Sequence, residues 1–370
     1  MNSKHFDTIV VGAGIAGICA AWWLKKEGQN VLLVDRKGPL AGASGAAGAF
    51  LSPRLGKGGP LQKLTDEAYR FTLDFYRTHT PEHFFAKGLV RIPKDEADAE
   101  RFETYERFID VPYEKVDAFR FPHILPEALR WGAFYFPDAA FVDPEGVADK
   151  LLAGAETTWG LEARPKYEEG LWRVGRFAAE NLVLATGAQA PAVEIPYLTV
   201  GGVWGERVDV ATGAEIPVTL HRELSVSANV DGVVRIGATH VRNDTRSEVE
   251  RVHELMAKAA HLVPSLQDMR LLRIYAGHRA SVNDHFPLVG PVADFARSRE
   301  TLGRPAKSLK AGDASIPRIP GLYLLNGFGG RGFVFGPLMG RWLADAVVRG
   351  RVPDARVHPD RYLFRALRRG

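Results

Sequence analysis

The chain has 370 residues, enough for two domains or one large interleaved one, with an ordinary apolar share of 46% and a high glycine count of 38. Its one cysteine, Cys19, excludes an internal disulfide, so a reducing cytoplasm is the expected compartment. A net charge of +4 is too small to demand a polyanionic partner, and no uncharged run reaches the ~20 residues that cross a bilayer.

The first predicted elements form one unit. Ile9, Val10 and Val11 are a β-branched strand run ending in Gly12-Ala13-Gly14-Ile15-Ala16-Gly17. Helix formers follow to Lys26, Gly28 closes the helix, and Val31 to Val34 make a second strand with Asp35 at its end. Strand, glycine turn, helix, strand and acid within about thirty residues are the layout of a dinucleotide-binding βαβ unit. Gly12 allows a tight turn, Gly14 a close approach to pyrophosphate, and Gly17 close helix–sheet packing. The helix N-terminus offers N–H groups to phosphate. Asp35 can accept from ribose hydroxyls and would repel a 2′-phosphate, which favours FAD or NAD over NADP. A membrane segment is the alternative for Thr8 to Leu24, but that run is short, carries spaced glycines and begins directly after Asp7. Cys19 lies inside this helix and reads as a small core residue.

Residues 38–54 are too rich in Gly, Ala and Ser to form a packed element, and small enough to lie against a flat ligand. Pro60 to Arg77 reads as an amphipathic helix. Residues 84–136 are aromatic-rich and broken by prolines, an insertion able to wall a pocket, with a strand at Leu89 to Ile92. Asp143 caps a helix whose first residue is Pro144. Leu171 to Val174 and Asn181 to Ala185 are strands, the second ending in Thr186-Gly187-Ala188.

Residues 199–240 read as antiparallel β, with strands at Arg207 to Val210, Ile216 to His221, Glu223 to Ser227 and Val233 to Ala238, and Asp231-Gly232 as a hairpin turn. Ser247 to Leu262 is a helix with a Ser247/Glu250 capping box and an apolar face at Val249, Val252, Leu255, Met256, Ala259 and Leu262. Two glycine-marked stretches follow, Ala276 to Gly290 and Gly321 to Gly340, the latter leading into a helix from Leu338 to Val348. The segment from Asp294 to Pro317 between them reads as an exposed loop. Arginines thicken from Arg349 to Arg369. A solvated tail is favoured there over an RNA contact. No second GxGxxG follows a strand, so reduction by NAD(P)H at a second site is not expected.

In order along the chain, GAGIAG with Asp35, GASGAAGAF, FVDPEGVADKLL, LVLATGAQ, GHRASVNDHFPLVG and NGFGGRGFVFGPLMG resemble the D-amino-acid oxidase superfamily of flavoproteins, which includes glycine oxidase and sarcosine oxidase. The GASG loop, DGVVRIGATH, RASVNDHFPLVG, the Gly-Arg-Gly step and HPDRYLFRALRRG look most like the FAD domain of the bifunctional tRNA 5-methylaminomethyl-2-thiouridine biosynthesis enzymes, without their methyltransferase domain.

The resemblance implies an α/β fold: a Rossmann-like FAD-binding domain of the glutathione-reductase type (1–83, 137–198 and 273–370), interleaved with a substrate domain of antiparallel sheet plus helices (84–136 and 199–272). It implies FAD, held non-covalently because neither Cys nor His lies between Ala41 and Phe50. Gly12, Gly14, Ile15, Ala16, Gly17, Asp35 and Arg36 are the residues matched to the ADP half. Ala43, Ser44, Gly48 and Ala49 match the flavin side, and Gly187 the close approach from the ATG strand. Gly329, Gly330, Arg331, Gly332 and Phe333 match the pyrimidine end, where the helix after Pro337 would stabilise negative charge.

Arg279 matches the carboxylate-binding arginine, with an ordinary structural ion pair as the alternative, and Arg331 matches a second active-site arginine that touches carboxylate or flavin. No metal is required. The implied reaction is oxidation of a carbon–nitrogen bond in an N–CH2–COO− amine, the carboxymethylaminomethyl group of a tRNA wobble uridine. Glyoxylate leaves, tRNA is the partner, and oxygen is the expected electron acceptor. The alternatives are a free glycine, sarcosine or D-amino-acid oxidase or dehydrogenase, and a non-catalytic FAD-binding subunit.

Overall fold

The computed structural model describes residues 4–189, 192–241, 246–303 and 309–369. They divide into two compact units, Met1–Ser44 with Ala148–Gly202 and Arg279–Gly370, and Gly45–Val147 with Val203–His278. Segments 45–83 and 137–147 therefore pack in the second unit.

The first unit is built on a mostly parallel sheet. Lys4–Val11 lies between Val31–Asp35 and Phe177–Leu184, and Phe177–Leu184 pairs in parallel with Arg318–Asn326. Glu156–Trp159 extends the sheet beyond Val31–Asp35, and Leu288–Ala293 runs antiparallel to Arg318–Asn326. The register aligns Val11 with Val34 and Leu184, and Leu184 with Leu324. The carboxyl ends of four strands thus come out on one edge, where open α/β sheets bind ligands. Ile9, Leu32, Leu182, Leu184, Leu288, Leu322 and Leu324 are buried in a single apolar core beneath that edge. Such continuous apolar runs are what a parallel sheet covered on both faces requires.

Helix Ile15–Lys26 packs along helix Gly332–Arg349. Glycines let them approach: a Cβ on Gly340 would lie 3.0 Å from the Cys19 backbone carbon, and one on Gly336 3.2 Å from Cys19 Sγ. Cys19 is wholly buried there, and burial pushes its thiol far above the ordinary range. The second of these helices begins at Gly332, six residues before the predicted start at Leu338. Pro337 is accommodated inside it, and its carbonyl accepts from Trp23 Nε1 at 2.9 Å. Part of the predicted loop from Asp294 to Pro317 is also helical. Asp294 caps Phe295–Leu302 by accepting from Arg297 N at 3.1 Å. Residues 304–308 of that predicted loop lie outside the described residues.

A buried polar cluster sits behind the sheet. Asp360, fully buried, takes both ends of the Arg318 guanidinium at 2.5 and 2.8 Å and accepts from Gly312 N. His358, also fully buried, accepts Asp360 N–H on Nδ1 at 3.3 Å, while its Nε2 has no partner among the described residues. Burial lowers its pKa from 6.5 to about 4, with Arg318 and Arg361 adding to the shift and Asp360 opposing it. The folded chain therefore keeps His358 neutral where the unfolded chain takes up a proton. Stability should fall as pH drops from 6.5 towards 4, by up to about 3 kcal/mol from this group. Denaturant midpoints at several pH values check it: His358→Leu should lose this part of the acid sensitivity. An unchanged slope in the variant refutes the assignment.

The second unit is organised on an eight-stranded sheet in the order Arg270–Ser281, Gly201–Ala211, Val233–Gly237, Ser225–Val226, Thr219–His221, Leu89–Arg91, Ala133–Phe136, Glu114–Val116. The predicted strands from Ile216 and Glu223 are shorter than the sequence suggests. The Asp231-Gly232 turn forms with both residues at positive φ (52° and 80°). Helix Glu248–Leu262 covers one face, and Val252, Leu255, Ala259 and Leu262 pack on Val208, Val210, Val234 and Ile236. The predicted capping box is present. Val249 is 58% exposed and not on that face, because it lies in the first turn ahead of the buried series. Asp143 caps helix Pro144–Leu152 by accepting from Gly146 N at 2.9 Å. Among the described residues no helix is long and apolar enough to cross a membrane.

Candidate functional site

The site in the first unit starts from the glycine turn. Gly12 has φ +106°, and a Cβ there would lie 2.4 Å from Ala185 O. A Cβ on Gly17 would lie 1.8 Å from Gly12 O. These two glycines set the turn and let helix Ile15–Lys26 start directly off the strand. The helix carries no acidic residue in its first turn and Gly14 offers it no side-chain cap. Among the described residues its first turn has one side-chain acceptor, Ser44 Oγ, 3.0 Å from Ile15 N. Orphan N–H groups and the positive helix end therefore face a place suited to an anion.

Asp35, half-buried at the end of the second strand, is fixed by three backbone donors. Oδ2 accepts from Ala13 N at 2.8 Å, and Oδ1 from Lys37 N and Gly38 N at 2.7 and 3.1 Å. A carboxylate has about four acceptor positions, so one remains for a ribose hydroxyl. Arg36 is exposed, Ile15 buried and Ala16 half-buried. Thr186 Oγ1 is buried beside the turn with no hydrogen-bond partner among the described residues. Gly187 follows at φ +65° with open space where a Cβ would stand. A missing polar partner beside an acid-free helix end and an open glycine fits an extended dinucleotide.

The second glycine run lies at the same sheet edge. Asn326, 5% exposed, donates from Nδ2 to Gly187 O at 2.9 Å and accepts Gly327 N on Oδ1 at 2.8 Å. It ties the ATG segment to the loop that follows. Sequence reasoning missed Asn326; an amide directly between a buried strand and a glycine run was the available signal. Gly329 N donates to Ala280 O at 2.6 Å, and a Cβ on Gly330 would lie 3.6 Å from Arg279 Cδ. Arg279 is thus brought against the segment that carries Arg331. Arg331 is the N-cap residue of helix Gly332–Arg349, whose first turn has no acid and whose Phe333 is buried. The earlier helix start moves the positive helix end from Pro337 to Gly332, beside Gly329, Gly330 and Arg331.

The remaining predicted residues are split. Ala43 and Ser44 lie in the turn at 39–46, Ser44 with the fingerprint helix as described. Gly48 and Ala49 belong to the second unit. There Ala49 is buried at φ +52° with its carbonyl accepting Val142 N at 3.2 Å, and Ala47 O accepts from Arg207 Nη1. Arg207 is 2% exposed, pairs with Asp209 at 3.3 Å and stacks 4.0 Å from the Tyr275 ring centre. Arg235 is in register with Asp209 and pairs with Asp143 at 2.6 Å. Burial raises the Asp209 carboxyl above its usual range, against the pull of Arg207. These charges line the sheet face opposite helix Glu248–Leu262, and none was foreseen, because single charged residues in a strand read as solvent-facing.

A separate cavity of about 230 Å³ beside that helix is lined by Thr239, His240, Arg246, Arg251, Glu254 and Lys258 among others. Its charges are spent on one another and on the fully buried Glu206, which takes Arg251 at 2.6 Å.

A family model described as FAD dependent oxidoreductase (DAO) matches residues 7–346. The tRNA 5-methylaminomethyl-2-thiouridine biosynthesis bifunctional protein MnmC of Methylobacillus flagellatus is 30% identical, covering 97% of this chain and 59% of that protein. Its counterpart in Shewanella amazonensis is 28% identical, covering 99% and 61%. The chain spans roughly three fifths of the length of these curated relatives. Among solved structures, glycine oxidase from Geobacillus kaustophilus aligns with a TM-score of 0.77 at 22% identity, covering 95% of this chain and 96% of that one. Iminodiacetate oxidase from Chelativorans sp. BNC1 aligns with a TM-score of 0.73 at 20% identity, covering 96% and 98%. At those identities the structural likeness speaks for the fold.

Proposed function

The chain belongs to the DAO family of FAD-dependent oxidoreductases, and from that footing we propose that it oxidises the carbon–nitrogen bond of an N–CH2–COO− amine, namely the carboxymethylaminomethyl group of a tRNA wobble uridine. The observation that carries the chemistry is Arg279 lying along Gly330, with Arg331 capping an acid-free helix end next to it. The choice of tRNA rests on the curated relatives, which match nearly all of this chain.

FAD, once bound, supplies the acceptor for the hydride of the carbon next to nitrogen. The chain's own residues hold and orient. Gly12, Gly14 and Gly17 shape the turn for the pyrophosphate, and Asp35 keeps an acceptor for ribose. Arg279 offers its planar fork to the substrate carboxylate in a fixed geometry, which orients the α-carbon. Arg331 and the N-terminus of helix Gly332–Arg349 supply positive charge that would stabilise negative charge on the reduced flavin. Loss of hydride and the amine proton leaves an imine. Water then cleaves its carbon–nitrogen bond, releasing glyoxylate and the aminomethyl nucleoside.

The test is mass analysis of nucleosides from carboxymethylaminomethyl-bearing tRNA incubated with the protein in air. The carboxymethylaminomethyl peak should convert to the aminomethyl one. An unchanged peak, together with turnover of glycine or sarcosine, would move the reading to a free amino-acid oxidase. Flavin that no amine bleaches would make the chain an FAD-binding subunit.

A further inference from the structure

We propose that the outer face of helix Asp360–Arg369 is a docking surface for RNA phosphates, an inference that rests on the tRNA reading above. The helix has two unlike sides. Tyr362, Leu363, Phe364 and Leu367 are buried in the core of the first unit together with Val282, Leu288 and Val292. At 100° per residue, Arg361, Arg365, Arg368 and Arg369 fall within about one quarter of the circumference. No acid interrupts them, since the helix's one carboxylate, Asp360, is fully buried on Arg318.

Arg361 is the fixed end of this stripe. Its guanidinium pairs with both oxygens of Asp284 at 2.9 and 3.2 Å and donates to Phe286 O at 2.9 Å, Val357 O at 2.9 Å and His358 O at 3.1 Å. Asp284 is held below the usual carboxylate range, burial opposing and Arg361 winning. Arg365 lies 3.5 Å from an aspartate whose oxygens are already engaged, and is half exposed. Arg368 and Arg369 are exposed and make no ion pair among the described residues. Four arginines against one aspartate leave a local charge of +3, within a chain whose whole excess is +4.

A solvated helix usually interleaves acids with bases for local pairing. Cations in a last turn also complement the helix dipole. That accounts for Arg368 and Arg369 in part, but not for Arg365 or for the missing acids. Guanidinium forks suit phosphate oxygens, and a stripe of them follows a backbone rather than a point charge. The stripe is also tied to the site: Asp284 and Phe286 belong to the segment that continues directly from Arg279. Polynucleotide lying on the helix is therefore anchored, within one unit, to the loop after the proposed carboxylate-binding strand.

The experiment measures binding of unmodified tRNA to the full FAD-loaded chain by fluorescence anisotropy across a salt series. For Arg365→Gln/Arg368→Gln/Arg369→Gln, affinity near 0.1 M salt should fall about tenfold or more, and the log–log salt slope should flatten by about 2. Flavin content and melting temperature should not change. The corresponding triple lysine variant, which keeps the charge, should recover most of the affinity. Wild-type affinity and slope in the triple glutamine variant would overturn the surface while leaving the tRNA reading intact. Polyglutamate captured as tightly as tRNA would overturn the RNA assignment. A wild-type chain that oxidises glycine or sarcosine and binds no tRNA would fail at the underlying reading instead.

Discussion

Gly17→Ala should yield protein with no bound flavin and little of the native fold. The added methyl would stand 1.8 Å from Gly12 O and 3.0 Å from Gly12 C, both backbone atoms. That carbonyl cannot swing away cheaply. Gly12 N is tied to Val34 O at 2.8 Å, and Ala185 N to Val11 O at 2.8 Å, so three strands fix the turn. The only relief is for helix Ile15–Lys26 to lift off the sheet. Lifting it strips Ile15, Ile18 and Cys19 from the core and removes the helix end that faces the phosphates. Ordinary overpacking costs about 1–3 kcal/mol. An overlap this deep against backbone should cost more, a large share of the roughly 5–15 kcal/mol that holds a domain together.

Gly28→Ala is the control in the same motif. Gly28 has φ +85°, but nothing lies within 4 Å of the point where the new methyl would stand. It should lose only about 1 kcal/mol to backbone strain and stay yellow. The ratio of flavin to protein absorbance and the melting temperature read both variants. A Gly17→Ala protein with wild-type flavin content would show that the glycine fingerprint does not set this turn.

The parts legible in the sequence are those fixed by local chemistry. The glycine run with Asp35 is legible through its fixed spacing, and the Asp143–Pro144 cap, the Asp231-Gly232 turn, the Ser247/Glu250 box and the approach of Gly17 to Gly12 each need only neighbours within a few residues. The misread parts depend on distant ones. Helix Gly332–Arg349 has no side-chain cap and contains Pro337, so its own sequence argues for a later start. Close packing of Gly336 and Gly340 on Cys19 carries it through. Arg207, Asp209 and Arg235 look like surface charges until the ladder pairs Asp209 with Arg235 and sets Tyr275 over Arg207. Asn326 acquires its role only because Gly187, far away in the chain, lies just beyond the end of a neighbouring strand. The arginines after Arg361 are a similar case. Their spacing was visible, but which of them remain exposed depends on Asp284.

Arg279→Lys should lower kcat/KM for carboxylate-bearing amines by about 10²–10³, and Arg279→Ala by more, with flavin binding retained. Truncating one partner of a desolvated charge pair costs about 2–5 kcal/mol, and each 1.4 kcal/mol is tenfold. Lysine keeps the charge but not the fork, so it cannot fix the carboxylate at two points. The α-carbon then wanders from its reactive position, and the rate of flavin reduction at saturating substrate falls along with affinity. Arg331→Lys should cost less on carboxylate binding, because the cationic contribution of the N-terminus of helix Gly332–Arg349 remains. The discriminating substrate is an amine of the same size without the carboxylate. Anaerobic stopped-flow reduction should find it slow with the wild type and no slower with Arg279→Lys. Equal losses on both amines would make Arg279 a structural cation holding the Gly329–Arg331 segment, and the carboxylate would need another partner. Retained affinity for the carboxylate with only a slower maximal rate would place the arginine's effect on orientation alone, and the free energy would then lie in the transition state rather than in binding.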